Sequence, residues 1–114
     1  MPVEVRAVNK YVRMSPRKVR LVVDMVRGMD VNEALVLLRF TPKAAAREVR
    51  KTIASAVANA EENLGLSRDE LYIARIVADE GPRLKRGRAG ARGRFKPIIK
   101  RTSHISVVLS EKES

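Results

Sequence analysis

The chain has no cysteine, a single histidine, few aromatic residues, and no acid at all between Pro82 and Arg101. Without cysteine there are no disulfides, no thiolate chemistry and no zinc finger built on cysteine ligands. No apolar run reaches the ~18–20 residues of a membrane-spanning helix. The opening Met1-Pro2-Val3-Glu4-Val5-Arg6 lacks a signal-peptide apolar region, so a cytoplasmic protein with no membrane partner is expected. Catalysis has as little to work with. The one histidine, His104, directly follows Ser103, and neighbours along a strand point to opposite faces. Asp79-Glu80 precede Gly81-Pro82 and, without other converging carboxylates, read as a turn rather than a magnesium site. No enzymatic activity, metal or cofactor is expected.

What is present is charge, unevenly placed. The 114 residues include 24 Lys and Arg against 13 Asp and Glu, a net of +11. Nine of the basic residues lie in the acid-free window: Arg83, Lys85, Arg86, Arg88, Arg92, Arg94, Lys96, Lys100 and Arg101. The rest of the chain has 15 basic and 13 acidic residues, a net of only +2. A 45% hydrophobic content is enough for a packed fold. The chain therefore reads as one domain, 1–114, with a near-neutral body (1–79 and 102–114) and a polycationic arm (80–101). A net charge of this sign favours a polyanionic partner.

Along the body, Val3, Val5 and Ala7 alternate with Glu4 and Arg6, the period-two pattern of a half-buried strand, and the pattern weakens after Ala7. Ser15-Pro16 opens a helix, serine as a cap and proline in the first turn. Val19, Val22, Val23 and Val26 form its apolar face, with Gly28 as a stop. Asp30 and Glu33 resemble a capping box before a shorter helix with Ala34, Leu35 and Leu38 inward. Thr41-Pro42 repeats the start signal ahead of the longest helix. There Ala45, Val49, Ile53, Ala56, Val57 and Ala60 make one stripe, ended by Asn63-Leu64-Gly65. Leu71–Ala78 and Ile105–Leu109 are rich in strand formers. The basic segment joins them, so the two strands read as the legs of a long hairpin with its tip near Gly87–Gly93.

A two-stranded ribbon is marginal alone in water, and nine like charges add self-repulsion. Such an arm makes physical sense when a polyanion surrounds it. Arginine outnumbers lysine six to three within it, which suits bidentate phosphate contacts and stacking on bases. Phe95 is its only aromatic residue, so a platform for single strands is poorly supported. If roughly six to ten phosphates are neutralised, affinity falls about 10³–10⁵-fold between 50 and 200 mM salt on the duplex-DNA scale. A second basic patch surrounds the first helix start, with Arg13, Ser15, Arg17, Lys18 and Arg20 near a helix N-terminus that also favours phosphate. Thr102 and His104, at the root of the returning strand, complete the candidate RNA-binding set.

Four stretches also carry a family resemblance. They are Ser15–Gly28 (Ser-Pro-Arg-Lys-Val-Arg-Leu-Val-Val-Asp-Met-Val-Arg-Gly), Ser55–Asn63 (Ser-Ala-Val-Ala-Asn-Ala-Glu-Glu-Asn), Asp79–Pro82 (Asp-Glu-Gly-Pro) and Lys100–Ile105 (Lys-Arg-Thr-Ser-His-Ile). In this order, over roughly residues 5–110, the chain resembles the large-subunit ribosomal protein twenty-two family in its bacterial form. The resemblance implies an α+β fold, three helices packed on a three-stranded antiparallel sheet with a protruding hairpin. It also implies contacts with several domains of large-subunit ribosomal RNA and with neighbouring ribosomal proteins, and no homo-oligomer. The hairpin tip would form part of the polypeptide exit tunnel wall, facing the nascent chain. By position, Leu84, Lys85 and Arg86 would enter the narrow region, and Gly87, Arg88, Ala89, Gly90, Ala91 and Arg92, on to Arg94, would form the tip. The family tip commonly reads Pro-Arg-Ala-Arg/Lys-Gly-Arg, and here Ala89-Gly90-Ala91-Arg92-Gly93-Arg94 has lost a proline and one charge and gained a glycine. A looser tip with a weaker local field follows. The rival reading, a free nucleoid protein gripping DNA with a β-arm, lacks the large apolar wedge such arms carry at the tip.

Overall fold

The periodicities set the element order of the computed structural model, which describes residues 3–82, 84–89 and 95–112, with backbone alone for 84–89 and 95–100. Strand β1 (Glu4–Val12) is followed by helices α1 (Pro16–Val26), α2 (Val31–Arg39) and α3 (Ala44–Leu64). A short 3₁₀ turn (Arg68–Glu70) leads into β2 (Leu71–Glu80), then β3 (Leu84–Ala89), β4 (Phe95–Lys100) and β5 (Ser103–Glu111). Strands β1, β5 and β2 form an antiparallel sheet in that order, so the last strand of the chain is the central one. The helices pack on it and on one another, with α3 against β1, β5, α1 and α2. The expected α+β architecture is the one observed.

The core is built from valine, alanine, isoleucine and leucine. Val19, Val22, Val23 and Val26 of α1 and Val49, Ile53, Ala56 and Ala60 of α3 are fully buried. They meet Ile73 and Ile76 of β2 and Ile105 and Leu109 of β5 in one cluster. No aromatic side chain is among the buried described residues. Alanines at positions 56 and 60 let α3 lie close to its neighbours.

Two bulges keep this pattern in register. On β2 the buried positions are Leu71 and Ile73, then Ile76 and Ala78, so the parity changes midway. The ladder pairs Ile73 with Leu109 but Arg75 with Val108, leaving Ala74 as the extra residue. Strict alternation would have turned Arg75 into the core, and the bulge puts it in solvent and Ile76 inside. On β1, Val5 is buried and Ala7 half-buried, but the next fully buried residue is Val12. Asn9 pairs with Ile105 and Val12 with Ser103, three steps against two. The weakening of the alternation after Ala7 is the sequence trace of this second bulge.

Two of the three expected helix starts stand where expected but without the side-chain cap, and the third is displaced. Ser15 stands at the N-cap of α1 and Pro16 at its first position, yet the serine side chain makes no capping bond. Its carbonyl instead accepts from the Lys18 and Val19 amides. Asp30 likewise caps nothing with its side chain, because its carboxylate pairs with Lys112 Nζ at 3.1 Å. Thr41 does not open α3: its hydroxyl donates back to the Leu37 carbonyl at 2.6 Å, and α3 begins at Ala44 with Lys43 before it. The far end of α3 is as expected, with Gly65 left-handed at φ 66° and the Leu66 amide closing on the Ala60 carbonyl at 3.1 Å.

Strand β2 is an edge, and an open edge invites pairing with other chains. Here it is covered from within. The Ile73 amide donates to the Met29 carbonyl (2.9 Å), and its carbonyl accepts from the Gly28 amide (3.0 Å). Further along, the Ile76 carbonyl accepts from Arg27 Nη2 (2.9 Å) and the Ala78 carbonyl from Arg20 Nε (3.0 Å).

Beyond the sheet, β3 and β4 pair antiparallel from Leu84↔Lys100 to Ala89↔Phe95. Gly87, Arg88 and Ala89 therefore lie in the ladder rather than in the turn, a shorter tip than the sequence suggested. Arg83 and the segment Gly90 to Arg94 lie outside the described residues. The radius of gyration is 17.3 Å and the extents 67 × 26 × 19 Å, against a radius near 13 Å for a compact chain of this length. The pivotal role of α3 makes a direct test available. Ile53→Ala should cost about 2–5 kcal/mol in urea denaturation, whereas Leu21→Ala, on a side chain 58% exposed, should change stability by less than about 0.5 kcal/mol.

Candidate nucleic-acid interface

The basic residues expected to meet RNA are held by two elements that converge at one end of the sheet. The first is the β1–α1 corner. Arg13, Arg17, Lys18 and Arg20 are exposed, and Ser15 is half-buried. The corner is fastened to β5, where Ser103 donates its hydroxyl to the Met14 carbonyl at 2.7 Å. Arg20 is partly committed to the edge of β2, as described above, so it serves the fold as well.

The second element is the hairpin. Lys85, Arg86, Arg88, Lys96 and Lys100 lie on β3 and β4, where the register sets Arg88 opposite Lys96 and Arg86 opposite Ile98. A like-charged rung of this kind is destabilising on its own. Arg92, Arg94 and Arg83 fall outside the described residues, while Arg101 is exposed at the root.

That root is tightly built. The Gly81 amide donates to the Thr102 carbonyl at 2.9 Å, and Thr102 Oγ1 donates to the Pro82 carbonyl at 2.7 Å. Thr102 is only 3% exposed. A β-carbon on Gly81 would stand 2.5 Å from Thr102 Oγ1 and 3.1 Å from His104 Cε1. Asp79 and Glu80, expected in a turn, instead continue β2 and pair with His104 and Ser103. The ladder that roots the hairpin thus extends to the last residue before the glycine.

His104 is half-exposed beside this root. Its Nδ1 accepts a hydrogen bond from the Tyr11 amide at 3.1 Å. The Tyr11 and His104 rings meet edge-on, 5.0 Å between centroids at 88°. Tyr11 is the residue at which β1 bulges, with φ 60°, a left-handed conformation that costs a non-glycine residue roughly 1–2 kcal/mol. Its side chain is 62% exposed. Sequence reasoning missed it, along with Arg6 and Arg75, which flank Val108 on the sheet face away from the helices and are both exposed.

The described residues hold no group of three or more histidines or carboxylates placed to bind a metal, and no helix long and apolar enough to cross a membrane. A groove of about 320 Å³ between α2 and α3 is lined by Leu35, Val36, Arg39, Arg50, Lys51 and Ala54, none of them an acid, a nucleophile or a histidine.

Residues 7–110 match the family described as ribosomal protein L22p/L17e. The chain belongs to that family. It is 57% identical over 110 residues to a protein of Thermoanaerobacter sp. (strain X514) named large ribosomal subunit protein uL22, covering 96% of this chain and 99% of the relative. Proteins of the same name from Chloroflexus aggregans and Clostridium novyi are 57% and 55% identical over 109 residues. The match covers 96% of this chain in both cases, and 96% and 98% of those relatives. Membership makes the chain a structural constituent of the large ribosomal subunit, working in the cytoplasmic ribosome, and not an enzyme.

The contact at Gly81 can be tested by paired substitution. Gly81→Ala should destabilise the body by about 1–3 kcal/mol through overpacking. Adding Thr102→Ala, which removes the obstructing hydroxyl, should recover part of that loss. A thermal-denaturation cycle in which the two effects simply add would refute the close-contact account.

Proposed function

We propose that the chain binds and organises large-subunit ribosomal RNA through two basic surfaces and that the hairpin tip lines the polypeptide exit tunnel. The observation that carries this reading is the segregation of charge. Nine of 24 basic residues occupy an acid-free stretch, most of it a two-stranded extension with Arg88 opposite Lys96. Like charges along a two-stranded ribbon repel one another, and a surrounding polyanion offsets that repulsion. The body surface made by Arg13, Ser15, Arg17, Lys18, Arg20, Arg101 and His104 takes phosphates at the base of the hairpin. Thr102 acts beneath it as a positioning residue. Arg83, Lys85, Arg86, Arg88, Arg92, Arg94, Lys96 and Lys100 carry the RNA contact outward. Residues 1–79 and 102–114 act as the docking body and 80–101 as the arm, with neighbouring ribosomal proteins around the body.

The tunnel assignment concerns Leu84, Lys85, Arg86, Gly87, Arg88, Ala89, Gly90, Ala91 and Arg92. It is supported by family membership and by the length of the extension, whose ladder alone spans six residues on each strand, about 20 Å at 3.4 Å per residue.

Sedimentation of a lysate through sucrose gradients tests the first part. The protein should travel with the large subunit and stay there through a high-salt wash that strips loosely bound cations. Release at moderate salt would mean a peripheral contact, and co-sedimentation with DNA would support the clamp alternative. The tunnel part is tested by placing a photoreactive amino acid at Ala91 in assembled ribosomes bearing a stalled nascent chain. A crosslink to the nascent polypeptide is the expected product, and crosslinks to RNA alone would remove the tip from the tunnel lumen.

A further inference from the structure

We propose that Tyr11 is a nucleobase-stacking residue, an aromatic platform at the hairpin root that receives an unpaired base of the large-subunit RNA. The proposal rests on the RNA-binding reading above and adds a residue and a mode of recognition to it.

The argument starts from a conformational oddity. Tyr11 is the only non-glycine residue with positive φ among those described. The bulge it forms has a clear structural task, which is to shift the parity of β1 so that Val12 is buried. That task needs a left-handed residue and nothing more. Glycine or asparagine would supply it with less strain. Tyrosine brings instead a large ring that the core does not use, on a residue 62% exposed. Strain kept at one exposed position points to a use for the side chain outside the fold.

The surroundings say what that use is. The backbone amide is held by His104 Nδ1 at 3.1 Å, and the ring is steadied edge-on by the imidazole at 5.0 Å. A ring fixed in this way loses little freedom on binding. Lys10 and Arg13, on either side of the bulge, are exposed, and Arg101 is exposed at the root beside it. Asp79 and Glu80 stand opposite His104 and Ser103 in the ladder, and Glu48 is held by Asn9 Nδ2 at 3.1 Å. An exposed aromatic side chain on a bulge flanked in sequence by Lys10 and Arg13 suits a splayed-out base with its flanking phosphates. An apolar protein partner would have to bury those cations without counter-charges. Arginine-rich segments elsewhere in the chain grip the backbone of RNA. This position adds a contact to a base face.

The test uses the full chain and full-length large-subunit RNA transcribed in vitro, with affinities measured over a series of salt concentrations. Tyr11→Phe should bind like the wild type. Tyr11→Gly should lose about 5- to 150-fold at every salt concentration, the range of one base–aromatic stack, with an unchanged salt slope because no charge is removed. Its thermal midpoint should stay within a few degrees, since glycine accepts the bulge conformation. Arg13→Ala should instead flatten the salt slope by about one phosphate. A separate readout comes from Tyr72→Phe, which leaves Tyr11 as the sole tyrosine of a chain with no tryptophan. Its fluorescence should be quenched on RNA binding. Wild-type affinity in Tyr11→Gly, or unquenched fluorescence in a bound complex, would overturn the stacking role while leaving the RNA reading intact. A loss of affinity that tracks a fall in thermal midpoint would overturn it too. Failure of the wild type to bind the RNA would strike the underlying reading instead.

Discussion

The pairing of β2 with β5 is the constraint on which everything else rests. It closes the sheet over the helices, because β1 and β2 do not touch and both depend on the strand between them. It also launches the hairpin, since the same two strands run on, past Gly81 and Thr102, into β3 and β4. Core and arm are thus two ends of one ladder. A slip of one residue in that ladder would turn Ile105, Val107 and Leu109 out of the core and misdirect the hairpin at the same time. The close fit of Gly81 against Thr102 acts as a register pin at the junction, where the ladder would otherwise be free to slide.

The edges of the sheet show how basic residues can serve two masters. Arg20 lies on α1 and looks from sequence like part of a phosphate-binding patch, and Arg27 stands at the C-cap of the same helix. Each donates to a carbonyl on the outer edge of β2. This arrangement covers an edge that could template aggregation and leaves cationic side chains at the surface. In a chain with a net charge of +11, using arginine as an edge cover adds no new type of group to the surface. It does mean that not every exposed guanidinium near α1 can be counted as a contact with RNA.

Much of the fold was legible because its periodicities are undisturbed. The stripes on α1 and α3, the three strands and the hairpin between the last two all follow from apolar spacing and from where the charges gather. The misreadings concern side chains with the chemistry for more than one task. Ser15, Asp30 and Thr41 could all cap helices, but none does so with its side chain: Asp30 pairs with Lys112, a partner that only tertiary structure supplies, and Thr41 donates back to the Leu37 carbonyl four residues earlier. Asp79-Glu80 look like turn residues, yet the ladder beside them holds them extended. The bulges were visible only as lapses in alternation, and a lapse does not say which residue is extra. For that reason the candidate site was legible in its cations and not in Tyr11, which sits in the β1 bulge with its amide bonded to a histidine 93 positions away.

The order of strands has a consequence for how the molecule comes into being. The central strand, Ser103–Glu111, follows the basic segment in the chain, so the ladder that supports that segment cannot form before β5 has been made. Neither β1 nor β2 can substitute, as they are not neighbours. Until β5 is in place the basic segment has no ladder to root it, and both outer strands keep open edges. The step that completes the core is therefore the same step that gives the polycation a fixed direction.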